Sequence, residues 1–129
     1  MARWDSDVLA ALDAAAGGQL ADIKLSWKED TAMVVVMAAK GYPGPYIDGT
    51  EIKRIDEANQ VEGVTVLHSG TTADGDRILA AGGRVLGVTA LGEGISAAQT
   101  RAYEAVDLVD WPDGFCRRDI GWRAIDRAD

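Results

Sequence analysis

The sequence predicts an α+β fold, a largely antiparallel sheet packed by one long helix, and three observations carry that prediction. β-Branched and aliphatic runs of strand length recur at residues 31–39, 64–69 and 84–91. Between them stand glycine, proline and Asp-Gly turns of the hairpin kind. One longer helical pattern comes late, from Ser96 to Val109.

The rest of the chain is organised around Gly82-Gly83-Arg84-Val85-Leu86-Gly87-Val88-Thr89-Ala90-Leu91-Gly92. An aliphatic run entered and left by glycines is expected to be a strand at the centre of the sheet, buried on both faces. Arg84 stands at its entrance, a permanently charged fork beside two residues that have no side chains to crowd an incoming anion. A ligand is expected there.

Taken in order, the chain begins with a helix. Ser6 can cap it, Val8, Leu9, Leu12, Ala15 and Ala16 recur at helical spacing, and Gly17-Gly18 ends it. A helix this short is marginal alone, so its sticky face must dock on something. Ile23 to Trp27 alternates as a short strand would. Lys28-Glu29-Asp30 then turns the chain into residues 31–39, a second central strand too β-branched to prefer a helix. The loop Gly41-Tyr42-Pro43-Gly44-Pro45-Tyr46 is either a stiff surface turn with tyrosines packed on the sheet or a wall of a binding site.

Asp48-Gly49 is a tight turn, and Ile52 and Ile55 belong to a short amphipathic stretch. After the strand ending at His68, Gly70 to Ala73 is expected to be an irregular exit. Asp74-Gly75 then turns the chain into a strand at 77–81. The carboxylates of Asp74 and Asp76 belong to that turn, since the other ligands of a calcium loop are missing. Gly92-Glu93-Gly94 meets a dinucleotide fingerprint as written, but the negative Glu93 and the lack of a full second strand argue against it. Ser96 and Gln99 instead form a capping box that starts the long helix, whose Ala98, Ala102, Ala105, Val106 and Val109 make one packing stripe. In the tail, Arg117, Arg118 and Arg123 with Asp119 read as an ion-paired edge.

Composition limits the possible functions. With 129 residues, 47% of them hydrophobic, the chain is about one domain with a real core. A formal net charge of −8 and thirteen scattered basic residues argue against nucleic acid as a partner. No apolar run approaches the ~20 residues that cross a bilayer, and no signal peptide is visible at the start, so no membrane partner and a cytoplasmic location are expected. One cysteine, Cys116, excludes an internal disulfide, and one histidine, His68, leaves a zinc site without enough ligands. No metal site is expected, Cys116 reads as a structural thiol, and His68 reads as an edge residue before a catalyst.

Four segments taken together resemble a known family. Gly41-Tyr42-Pro43-Gly44 with Tyr46 and Gly49, His68-Ser69-Gly70-Thr71, the run from Gly82 to Gly92, and Arg118-Asp119-Ile120-Gly121-Trp122-Arg123-Ala124 resemble the C-terminal domain of the phosphoribosylamine–glycine ligases, also called glycinamide ribonucleotide synthetases. The resemblance covers roughly residues 22–125 in the same order and with similar gaps. One departure is Ser69, where the family commonly has alanine. Residues 1–20 look like the last helix of the preceding ATP-grasp region, and residues 21–129 like the ligase C-terminal domain.

The resemblance implies an ATP-grasp ligase of purine biosynthesis. In that family ATP phosphorylates the carboxylate of glycine, and the amine of 5-phosphoribosylamine displaces the phosphate to give glycinamide ribonucleotide. Phosphate supplies the leaving group that a carboxylate lacks, and magnesium or manganese offsets the charge. The chain has neither a glycine-rich nucleotide loop with its lysine nor the Glu/Asn metal-ligating segment, so ATP and metal are expected on regions outside it and neither is expected to bind it tightly. Met1 is then an internal residue or a new start, and the chain alone is expected to be inactive, with no catalytic residue of its own.

By the same resemblance, Arg84 clamps the substrate phosphate and Gly82 and Gly83 let the backbone approach. Tyr42, Pro43, His68, Gly70 and Thr71 are further candidates for lining the pocket. The expected partners are 5-phosphoribosylamine, glycine and the remainder of the ligase. The alternative is a non-catalytic interaction module that docks on a separate ATP-grasp chain through Val8, Leu9 and Leu12.

Overall fold

The computed structural model describes residues 1–127. Helix α1 (Val8–Ala16) and a single 3-10 turn at Leu20–Asp22 precede strand β1 (Thr31–Ala39). Then come β2 (Glu51–Ile52), the short helix α2 (Ile55–Ala58), β3 (Val64–His68), β4 (Thr71–Asp74), β5 (Arg77–Ala80) and β6 (Arg84–Gly92). Helix α3 (Ile95–Leu108), β7 (Gly114–Phe115) and a last turn of helix, α4 (Trp122–Ile125), complete the chain.

Every strand pairing is antiparallel, but the strands divide into two sheets. The larger has the order β3-β6-β1-β7 and the smaller β2-β5-β4. The α+β architecture expected from the sequence is present, with β6 inside the larger sheet. Helix α3 lies across β6 and β1, and its small-residue stripe explains how: Ala98, Ala102, Ala105 and Val106 are buried and let the helix come close. At the closest point a Cβ on Gly92 would lie 2.6 Å from the backbone nitrogen of Ala98.

Register decides which side chains form the core. Met33, Val35 and Met37 of β1 pair with Ala90, Val88 and Leu86 of β6, and all six are buried beneath α3. Val35, Val85, Leu86 and Val88 are fully buried, each contributing about 1.5–3 kcal/mol relative to exposure. Trp111 closes one end of this core, its Nε1 donating to Thr50 Oγ1 at 2.9 Å.

The structure corrects several local expectations. β6 is fully covered on one face only: Gly87, Thr89 and Leu91 are half-buried, because nothing in residues 1–127 lies squarely over them. Residues 23–27 form no strand, since no neighbour offers a ladder there. They pair only locally with the N-terminus, where Trp4 bridges Trp27 and their rings meet at 5.0 Å. Asp7, not Ser6, caps α1, its carboxylate accepting from Leu9 and Ala10; Ser6 Oγ accepts from the Ser26 amide. Residues 71–74 are a strand, not an irregular exit, because the Asp74-Gly75 turn folds them against β5. The capping box at Ser96 is absent: Gly94 caps α3 without a side-chain bond, and Gln99 instead donates to the Ile120 carbonyl at 2.8 Å. The tail ends in the helical turn α4.

Candidate functional site

The two sheets meet where β3 ends and β6 begins. The amides of Ser69 and Gly70 both donate to the Val85 carbonyl, at 3.0 and 3.2 Å, and the amide of Ala81 donates to the Gly70 carbonyl. These bonds press backbone on backbone. A Cβ on Gly70 would lie 2.7 Å from the Arg84 carbonyl oxygen and 3.2 Å from the Cα of Gly82. Gly70 thus permits the crossing of the two chain segments, a close approach that needs a residue without a side chain, whereas a Cβ on Gly82 would meet the Cα of Gly70 at an ordinary 3.5 Å.

Gly83 has a different neighbour. It is buried, and the space beside its Cα is filled by the ring of Tyr42. Tyr42 is half-buried and its ring lies 6.4 Å from that of Tyr46, while Pro43 and Tyr46 are exposed. One tyrosine of the loop is packed on the start of β6 and the other faces outward.

Arg84 follows directly. It is exposed at the first position of β6, opposite Ala38, where a bulge between Met37 and Ala38 shifts the pairing. Among the described residues its guanidinium has no ion pair and no hydrogen bond, unlike Arg77 with Asp74, Arg117 with Asp119 and Arg118 with Asp107. All of its donors remain available to a ligand. Arg84 is not part of the clefts of about 570, 360 and 330 Å³ on the described residues.

His68 and Thr71 belong elsewhere. His68 Nδ1 and Thr71 Oγ1 are 2.9 Å apart, and His68 lies on the rim of an open cleft of about 570 Å³ between β2, α2 and β5. That cleft carries charges of both signs, and on its wall Lys53 pairs with Glu51 and Arg54 with Glu57. Arg54 holds a left-handed backbone, φ 61°, as it starts α2. The sequence pattern did not single out Lys53 or Arg54, since two charged residues between isoleucines look like any solvated turn.

The tail is fixed by α3. Tyr103 Oη donates to the Arg117 carbonyl at 2.8 Å and accepts from the Ile120 amide at 3.0 Å. Arg117 grips Asp119 with two nitrogens and holds its carboxyl below the usual carboxylate range. Burial pushes the Cys116 thiol up, against the opposing pull of Arg118. Among the described residues no three of His, Cys, Asp or Glu come together as a metal site, and the start of α3 fills the space beside Gly92.

Residues 32–123 match the family model "Phosphoribosylglycinamide synthetase, C domain". The chain belongs to this family. It is similar to the phosphoribosylamine–glycine ligase of Mesorhizobium japonicum, 50% identical over 127 residues that make up 98% of this chain and 30% of the relative. It is also similar to the chloroplastic phosphoribosylamine–glycine ligase of Arabidopsis thaliana, 51% identical over 127 residues, 97% of this chain and 24% of that one. The crystal structure of phosphoribosylamine–glycine ligase from Thermotoga maritima shares the fold, with a TM-score of 0.69 and 29% identity over 85% of this chain and 26% of that one. The chain thus spans 30% or less of the length of these relatives, in their C-terminal part. The family resemblance read from Gly41 to Ala124 is therefore borne out. No helix among the described residues is long and apolar enough to cross a membrane.

Proposed function

We propose that this chain serves as the C-terminal portion of a phosphoribosylamine–glycine ligase, which joins 5-phosphoribosylamine and glycine at the expense of ATP. The observation that carries the reading is the 50% identity to such a ligase across 98% of the chain. In this reading residues 1–20 are the terminal helix of the ATP-grasp region and residues 21–129 the C-terminal domain. ATP and magnesium or manganese bind to parts of the ligase outside the chain. The chain alone does not turn over, and the enzyme works in the cytoplasm, with no nucleic acid or membrane partner.

The role proposed for the domain is to close one side of the active site and hold the phosphate of phosphoribosylamine. Arg84 is exposed and unpaired among the described residues, and a planar guanidinium binds a phosphate through two parallel hydrogen bonds. Tyr42 packs on Gly83 next to it in sequence, Gly70 approaches its backbone and lies against Gly82, and Pro43 stiffens the loop. His68 and Thr71 stand farther out as lining residues on the rim of the neighbouring cleft.

The test is Arg84→Ala in the full-length ligase. The KM for phosphoribosylamine should rise while the KM for ATP stays unchanged, and equal effects on both would reject the clamp.

A further inference from the structure

Phe115, the single phenylalanine of the chain, is 41% exposed on a strand of only two residues. The backbone on both sides of it is fixed. Before it, Gly114 has the ring of the buried Trp111 where a side chain would stand. After it, Cys116 packs against the main core, and the Arg117 carbonyl accepts from Tyr103 Oη at 2.8 Å. Successive residues of a strand point to opposite faces, so with 114 and 116 turned to the core, Phe115 is turned away from it. Aromatic side chains with a free face are the ones that line ligand pockets.

Register places Phe115 beside the candidate phosphate site. Ala38 of β1 pairs with Phe115 of β7 on one side and with Arg84 of β6 on the other. Directly paired residues share a face of a sheet, so Arg84 and Phe115 stand on one face with only a methyl group between them in the row. Ala38 is buried but is not part of the main core, to which its neighbour Ala39, the partner of Gly114, belongs. Two strand spacings put the backbones of Arg84 and Phe115 roughly 10 Å apart. The row thus offers a fixed cation at one end and a flat apolar ring at the other. Inorganic phosphate would use the cation alone. A pentose 5-phosphate would use both, its phosphate accepting from the guanidinium and its carbon-hydrogen face resting on the electron-rich face of the ring.

We propose that Phe115 packs against the pentose of phosphoribosylamine while Arg84 holds the phosphate, so that the row across β6, β1 and β7 selects a sugar phosphate over phosphate alone. This deepens the phosphate-clamp reading above and rests on it.

The test uses Phe115→Ala, Phe115→Tyr and Arg84→Ala in the full-length ligase, with ribose 5-phosphate and inorganic phosphate as inhibitors competitive with phosphoribosylamine. Phe115→Ala should weaken ribose 5-phosphate and raise the KM for phosphoribosylamine roughly three- to tenfold. Inorganic phosphate and the KM for ATP should stay unchanged, and Phe115→Tyr should restore the loss. Arg84→Ala should weaken both inhibitors. If circular dichroism shows that Phe115→Ala does not fold, Phe115→Leu, which keeps apolar bulk without the ring, takes its place with the same expected loss. Unchanged ribose 5-phosphate inhibition at position 115, with the loss still present in Arg84→Ala, overturns the inference and leaves the clamp standing. Equal losses for phosphoribosylamine and ATP at position 115 also overturn it, since they report a general disturbance. Inhibition by both compounds that is the same in Arg84→Ala as in the unaltered enzyme overturns the clamp and the inference together.

Discussion

The ring of Tyr42 occupies the place where Gly83 would carry a side chain: a Cβ built there falls 2.2 Å from Tyr42 Cδ2. The contact ties the Gly41–Tyr46 loop to the root of β6, one residue from Arg84. Gly83→Ala should therefore cost about 1–3 kcal/mol, the usual range for overpacking. The penalty should shrink in a Tyr42→Ala background, since residues in contact are not additive. Urea unfolding of the four proteins of the cycle measures the coupling, and full additivity would deny the contact.

Arg84 should behave in the opposite way. Being exposed and unpaired among the described residues, it contributes little to the fold, and Arg84→Ala should change stability by no more than about 0.5 kcal/mol. In the full-length ligase the same substitution should raise the KM for phosphoribosylamine roughly 10- to 100-fold, as expected for losing a charge-assisted hydrogen bond of about 1.5–3 kcal/mol. Arg84→Lys should restore part of it. A large stability loss with unchanged kinetics would make the residue structural.

Gly92 brings α3 onto the sheet, and its neighbours there are backbone atoms that cannot swing aside. Gly92→Ala should cost about 1–3 kcal/mol or more, with Glu104→Ala on the exposed side of the same helix within about 0.5 kcal/mol as the reference. Thermal unfolding followed by circular dichroism compares the two. Similar midpoints would show that α3 can move off.

Cys116 should react slowly. Burial raises its thiol pKa, so less of it is thiolate at a given pH and the midpoint of alkylation against pH should lie above the value of about 8.5 for a free cysteine. Unfolding in guanidinium should bring the midpoint back. The stability linked to this group is fully present below the unfolded pKa and is lost as pH rises through the folded one. An alkylation midpoint at or below that of the unfolded chain would contradict the shift.

The sequence alone determined what depends on local pattern. β-Branched runs fixed β1, β3 and β6, Asp74-Gly75 fixed a hairpin turn, and the alanine stripe of α3 fixed which side meets the sheet. The family, too, was legible, because four segments taken together carried the resemblance, and the family model matches residues 32–123.

Only the tertiary structure decided the rest. Ile23 to Trp27 alternates like a strand, yet a strand needs a partner ladder, which no periodicity reveals. The glycines at 70 and 83 looked alike in sequence; their different duties, a chain crossing for one and a seat for Tyr42 for the other, arise from segments far apart in the chain. The aliphatic run of β6 promised burial on both faces, but a run records only that water is to be excluded. Which face other residues then cover is set by packing, and here Val34, Val36 and Leu67 stay exposed on the face of the larger sheet turned away from α3.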